Sequence, residues 1–459
     1  MSRSRKPSLP VESIELSIDA LDHAGRGVGR SGGAGGKAVF VAGALPGERV
    51  RCRLVARHKK HDEGVVEAVL EASPLRVEPR CAHTGVCGGC SLQHLAPEAQ
   101  IDAKQQILLG DLAHIGKVTP QEILPPLRGP HWGYRTKARL GAKFVRKQGR
   151  VLVGFREKHA PQLAELSRCE VLHPQIGGRI PELAALLGGL EARERIPQIE
   201  VAVGDQASAL VFRNLDPLSE GDAARLRAYG EHSGLQIYLQ PAGPDSIGPL
   251  WPERAADLDY ALPGFDLRLQ FLPTDFTQVN RAINAAMIDH ALTLMDVQSD
   301  DRVLDLFCGL GNFTLPLARR CAQVVGVEGE AGLVQRARDN AVRNGIGNAE
   351  FHVADLAGDL RIYPWFRPWL QQGFDKLLLD PPRSGAQAVI PTIAGLGCQR
   401  IVYVSCNPSS LARDAGLLVH EHGYRLVKAG VMDMFPHTAH VESIALFEKT
   451  RSAPRRVGG

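Results

Sequence analysis

No apolar run in this 459-residue sequence approaches the ~18–20 residues a helix needs to cross a bilayer. No membrane association is expected. The basic start, MSRSRKPSLP, has no apolar stretch behind it, so it does not read as a secretory signal, and a cytoplasmic protein is expected. Without export, the nine cysteines do not imply a disulfide framework. Aromatic residues are sparse at 5%, while 44% apolar and 23% charged residues are usual for a globular chain. The length allows about three domains.

What is present is unevenly spread. Residues 1–61 hold 12 Lys/Arg against 5 Asp/Glu, and residues 131–158 hold 9 against the single acid Glu157. The rest of the chain is acidic, since the net charge is only +4. Either island alone reads as a solvated face. Together, with Trp132, Tyr134 and Phe144 interleaved in the second, they predict a nucleic-acid surface. Arg135, Lys137 and Arg139 alternate and would share one face of a strand, as a track along backbone phosphates would.

The chain reads as a multidomain α/β protein. Short apolar runs such as KAVFVAGAL and EGVVEAVLE, broken by turns such as GRGVGRSGGAGG, predict an N-terminal OB-like β-barrel over residues 7–72. Residues 73–272 read as a middle α+β domain. It begins with a cysteine-rich segment and a helix over 97–116, and includes a helix in IPELAALLGGLEARE and two hairpins, YRTKARLGAKFV with VLVGFRE and IEVAVGDQASALVFRN. From 273 to 450 a helix over 276–296 leads into strand–helix alternation: RVLDLF, QVVGVE, AEFHVAD, FDKLLLD and RIVYVSC predict a parallel, Rossmann-like sheet. YRLVKAGVMDM and ESIALFEK are expected as edge strands, and residues 451–459 as a disordered tail.

The glycine turn DLFCGLGN lies between a strand and a helix, and a later strand ends in Glu328. The dinucleotide fingerprint is incomplete, because Thr314 stands where its third glycine would be. Asp305 before the turn would repel a pyrophosphate and suit a cationic amino-acid ligand such as S-adenosylmethionine. Asp355 and Asp380 close further strands; Asp355 alone reads equally well as a turn cap. Asp380 heads the rigid turn Asp-Pro-Pro-Arg. Cys406 ends a strand just before a helix, where the helix end should lower its thiol pKa and suit it to nucleophilic attack. Glu442, in FPHTAHVE, is the candidate general base. Cys308 and Cys398 read as buried and inert. Cys81, Cys87 and Cys90 crowd together in a pattern that suits metal binding, whereas Cys169 lies far along the chain.

With LDLFCGLGNF, LLLDPPRSGA, VYVSCNPSSLARD and FPHTAHVES in hand, the chain resembles the RNA uracil-5-methyltransferases, in particular the branch acting on 23S ribosomal RNA. The resemblance spans nearly the whole chain. It implies transfer of a methyl group from S-adenosylmethionine to carbon 5 of a uridine in 23S rRNA, the family's position 1939. It further implies Cys406 as covalent nucleophile and Glu442 as base. Gln278, Phe307, Asn312, Glu328, Asp355 and Asp380 would be donor-binding positions, Asp355 departing from the branch's frequent Asn. Cys81, Cys87, Cys90 and Cys169 would ligate a [4Fe–4S] cluster, and the N-terminal barrel would be a TRAM domain. A monomer acting on a flipped base is expected. Two rivals remain at this point, a tRNA uracil-5-methyltransferase and a non-catalytic iron–sulfur RNA-binding protein.

Overall fold

A computed structural model describes residues 12–450 except Ala34 and His159. The first five residues of the expected barrel domain and the expected disordered tail lie outside the described residues. Strands β1 (Ser13–Leu21), β2 (Gly27–Arg30), β3 (Ala38–Ala42), β4 (Arg49–Arg57) and β5 (His61–Glu71) close a barrel in the order β1-β2-β3-β5-β4. Alternation does this: Leu16, Ile18, Val39, Val41, Val50, Cys52 and Leu54 fill its interior, and arginines alternate with them along β4.

Helix α1 (Pro97–Asp111), continued by one wider turn to Gly116, and the two-residue strand β6 (Glu122–Ile123) follow the cysteine segment. Next come β7 (Lys137–Val145), β8 (Arg150–Gly154), α2 (Pro174–Gly177), α3 (Ile180–Gly188), β9 (Gln198–Val203), β10 (Ser208–Arg213), α4 (Glu220–Ser233), β11 (Gln236–Leu239) and β12 (Gly248–Trp251). They build a six-stranded sheet, β12-β11-β10-β9-β7-β8, which contains both expected hairpins. Helix α3 stops at Gly188, short of the expected span; Gly188-Gly189 gives the next turn no side chain to hold it. Strands β13 (Leu258–Leu262) and β14 (Leu267–Phe271) form a separate hairpin.

The C-terminal region contains α5 (Arg281–Met295), β15 (Arg302–Leu306), α6 (Thr314–Ala318), β16 (Gln323–Glu328), α7 (Ala331–Arg343), β17 (Ala349–Val353), α8 (Arg367–Gln372), β18 (Lys376–Leu379), α9 (Ile390–Ala394), β19 (Arg400–Ser405), α10 (Pro408–His420), β20 (Tyr424–Met432) and β21 (Glu442–Lys449). The sheet runs β17-β16-β15-β18-β19-β21-β20-β6, and β15 to β19 are all parallel. Successive residues serve opposite faces: Val303, Val324, Leu378 and Val402 pack towards α5, whereas Leu304, Val325, Leu377 and Ile401 pack towards α1 and α10.

Three expectations change here. Helix α5 begins at Arg281, not 276, because Asn280 caps it by accepting from the Ile283 amide, and Val279 is already paired to Thr136. Strand β21 is interior: it pairs antiparallel with both β19 and β20, and β6 covers the outer side of β20. Residues around 101–118, assigned to the middle domain from sequence, give Ile101, Leu108, Leu112 and Val118 to the core of the C-terminal sheet.

Candidate active site

The chain goes from β15 outward to β16 and β17, then returns to place β18 on the other side of β15. Such a reversal leaves a crevice beyond the carboxyl ends of the two diverging strands, where ligands bind in open α/β sheets. The turn after β15 borders it. Phe307, Gly309 and Gly311 all have left-handed backbones, with φ of 66°, 55° and 96°. A side chain at Gly309 would meet nothing within 4 Å, so the turn opens onto free space.

Glu328, at the end of β16, accepts from the Gly309 amide at 3.1 Å and from the Gly329 amide at 2.7 Å, which locks the turn to the neighbouring strand. Asp355 is exposed beyond β17 and caps its own turn, accepting from the Ala357 amide. Asn312 spends its side chain on protein: its carbonyl accepts from the Tyr260 hydroxyl at 2.7 Å, and it exchanges amide bonds with Asn284. Gln278 is buried in the segment before α5. Asp380 follows β18 directly, on the opposite bank from Phe307.

Asp305 departs from expectation. It is fully buried and accepts from the Thr314 hydroxyl at 2.6 Å, so it braces α6 and faces no ligand. Burial, with Asp380 and Glu328 nearby, pushes its carboxyl up to about 8.

The register of β19 and β21 sets the next feature. Ser405 lies opposite Ser443, and the Ser443 hydroxyl donates to the Ser405 carbonyl at 3.1 Å. One step further, Cys406 and Glu442 are therefore cross-strand neighbours at the same rim as Asp380. Glu442 is 3% exposed, and burial with the nearby Asp380 holds its carboxyl well above the usual range. Asp380 is raised to about 7 by burial and by Glu328. The Cys406 thiol is also raised, to about 11, by burial and by Glu442 and Asp380, with Arg383 pulling the other way. Its position before α10 was expected to lower it; desolvation and two acids outweigh the helix end in the free protein. Cys308 and Cys398 are buried with raised thiols, as inert cysteines should be.

Sequence reasoning missed the partnership of Arg383 with His440. The guanidinium donates to the His440 Nδ1 at 3.0 Å, and the Asn407 amide holds the Arg383 carbonyl at 2.9 Å. The adjacency of Arg383 to Asp380 in the Asp-Pro-Pro-Arg turn was the available signal.

Cys81, Cys87, Cys90 and Cys169 line one cavity of about 420 Å³, together with Arg135 and residues 438–440. Two distant pieces of sequence thus present four thiols to one space. Among the described residues the close-set group of metal-ligating side chains is His58, His61 and Glu63, and the four cysteines do not form one. A single tetrahedral zinc would draw their sulfurs to about 3.8 Å.

The basic hairpin is less uniform than its sequence. The Lys137 ammonium is buried and donates to the Pro273 carbonyl, with its pKa lowered to about 8 by desolvation. Arg139 is exposed and paired with Glu200 at 2.8 Å. Tyr134 is core, donating to the Pro436 carbonyl, and Trp132 stacks on His437, so neither is a free platform for a base.

Comparison with known proteins decides the family. A protein of Alkalilimnicola ehrlichii named 23S rRNA (uracil(1939)-C(5))-methyltransferase is 54% identical over 448 residues, covering 97% of this chain and 98% of the relative. One of the same name from Xanthomonas axonopodis is 55% identical over 449 residues, 98% and 100% of the two chains. The chain belongs to the 23S rRNA (uracil-C5)-methyltransferase family. The tRNA (Uracil-5-)-methyltransferase family model matches residues 259–450 and the TRAM domain model residues 7–61. Among solved structures, a Pyrococcus abyssi tRNA (uracil-54, C5)-methyltransferase in complex with S-adenosyl-L-homocysteine superposes with a TM-score of 0.71 at 24% identity, covering 95% of this chain and all of that one. The fold is thus shared from barrel to methyltransferase sheet.

Proposed function

We propose that the protein methylates carbon 5 of a uridine in 23S rRNA, at the position equivalent to uracil 1939, with S-adenosylmethionine as methyl donor. The observation that carries this reading is the placing of Cys406 and Glu442 as cross-strand neighbours beside Asp380, on the rim of the crevice. The donor supplies an electrophilic methyl group. Glu328, Asp380, Gln278 and the backbone of the 307–312 turn are suited to hold it; Asn312, whose amide is engaged, would contribute its backbone. Asp355 has an exposed carboxylate with one oxygen free of the turn it caps.

Carbon 5 of uracil is a weak nucleophile. Cys406 gives up its thiol proton to solvent and adds as thiolate to carbon 6, making an enolate; carbon 5 would then take the methyl as the donor's sulfur–methyl bond breaks and S-adenosylhomocysteine leaves. Glu442 then takes the carbon 5 proton, the ring double bond re-forms and the Cys406 thiolate departs. The raised pKa of Glu442 serves this step. Burial and the nearby Asp380 raise its proton affinity, so the ionised Glu442 is a stronger base than an exposed carboxylate. Methylation of 23S rRNA and of tRNA from cells lacking the gene tests the assignment: incorporation is expected at one rRNA uridine, and incorporation into tRNA alone would overturn it.

We further assign Cys81, Cys87, Cys90 and Cys169 to a [4Fe–4S] cluster. The one cavity that all four cysteines line, roomy for a single ion, supports this reading beside the family resemblance. Methyl transfer moves no electrons, so its part is to tie the cysteine segment to residue 169. Anaerobically purified protein should contain about four iron atoms per chain; zinc in their place would refute the assignment. The chain is taken to act as a monomer.

A further inference from the structure

The nine residues 433–441 join β20 to β21 and end at Glu442. One face of this loop borders the cysteine cavity through Thr438, Ala439 and His440. The other reaches the reaction site, where His440 meets Arg383. At its centre His437 holds a left-handed backbone, φ 65°, without being glycine. Such a conformation persists only where its surroundings enforce it.

Those surroundings come from residues 91–104. The Ser91 and Leu92 amides, directly after Cys90, both donate to the His437 carbonyl, at 2.9 and 3.0 Å. The Gln100 side-chain carbonyl accepts from the His437 amide at 2.8 Å. The Gln100 Nε2 donates to the Leu92 and Leu95 carbonyls and lies 3.2 Å from the His437 Nδ1. One turn along α1, the Lys104 ammonium donates to the Asp433 carboxylate and to the Phe435 carbonyl, both at 2.9 Å. Gln100 and Lys104 are each 1% exposed, on a helix whose sequence gives them no apolar reason to face inward.

A buried amide and a buried ammonium are costly unless each polar atom is used. Here all their bonds run to two places, the cysteine segment and the base loop. We propose that Gln100, assisted by Lys104, is a positioning residue for catalysis: it fixes the His437 turn against the cysteine segment, and so keeps Glu442 enclosed against Cys406. This rests on the reading of Glu442 as base. Strand pairing sets only the Glu442 backbone, opposite Met432. The side chain is 3% exposed, and the loop that leads into it is itself buried at Met434, His437 and Val441.

The test uses the full-length holoprotein with Gln100→Leu, which keeps the bulk and loses every polar bond. Gln100→Glu, which retains only the acceptor for the His437 amide, is the milder companion should the first variant fail to fold. Hydrogen exchange in peptides covering 433–441 should speed up at least tenfold, with the barrel and iron content unchanged. With substrate RNA, kcat should fall at least tenfold while KM for the donor stays within twofold. A denaturant-stable protein–RNA adduct should build up, because proton removal has become slow. Unchanged loop exchange, or a loss of rate without adduct where Glu442→Gln does give one, would overturn the proposal. If Glu442→Gln turns over normally while Gln100→Leu still loosens the loop, the base assignment fails and the clamp survives as structure only.

Discussion

The methyltransferase crevice and the basic outer surface treat charge in opposite ways. In and beneath the crevice Asp305, Asp380 and Glu442 form no salt bridge with a Lys or Arg among the described residues, and all three carboxyls are raised. On the barrel and the β7–β8 hairpin, arginines sit in water beside acids: Arg49 and Arg51 with Glu15, Arg139 with Glu200. Burial without a counterion stores proton affinity for use in a reaction. Exposed pairing stores little energy and leaves the cations open to exchange partners. The first region is built for chemistry and the second for binding.

The largest effects should come from the crevice. Cys406→Ala is expected to abolish turnover while leaving donor binding within about threefold, measured by methyl incorporation and by calorimetry. Glu442→Gln should reduce kcat by about 10²–10⁴-fold, the usual worth of a positioned base, and should leave a protein–RNA adduct on a denaturing gel. Normal turnover in either variant would erase the contrast between the two regions, since the buried acids would then have no chemical role.

A smaller effect concerns stability. The folded pKa of Asp305, about 8, lies above its ordinary 3.8. Between those values the folded chain holds a proton that the unfolded chain has lost, so stability is full below about pH 4 and declines as pH rises towards 8. Asp380 and Glu442 act in the same sense. The Asp305→Asn variant keeps an acceptor for Thr314 and removes one titration. Its melting temperature should fall less between pH 5 and 8 than that of the parent, by the equivalent of a few kcal/mol. Parallel curves for the two proteins would mean that Asp305 is charged despite its burial.

Much of this was legible in the sequence. Period-two runs gave the barrel and the parallel strands, because alternation is what a two-faced sheet requires. Residues 328, 380 and 406 were locatable because a parallel sheet puts its strand ends on one rim; Glu442, which opens the antiparallel β21, was found by its place in FPHTAHVE between two strands. Pairing among the last strands was not, since β21 and β20 look alike in apolar content and only tertiary contact with β19 orders them. The burial of Asp305 was not legible for one reason: a charged letter in an apolar strand does not say whether it faces water. The roles of Gln100 and Lys104 were invisible for the same reason, their partners lying more than 300 positions away.

The smallest expected effect probes the outer surface. Arg139 is 70% exposed at its side chain and its bond to Glu200 is open to solvent. Arg139→Ala should therefore change stability by less than about 1 kcal/mol. Its effect should appear instead in RNA affinity. A side chain that neutralises one phosphate releases about one counterion, so the slope of log affinity against log salt should flatten by nearly one unit. The same loss should be seen across RNA sequences, because a phosphate contact carries no base information. The comparison is sharpest with Lys137→Met. Lys137, two residues along on the same face of β7, is half-buried and donates to the Pro273 carbonyl, so its removal should disturb melting while leaving the salt slope unchanged. If instead both variants flatten the slope equally, the Lys137 bond to Pro273 opens on RNA binding and its ammonium joins Arg139 along the phosphates.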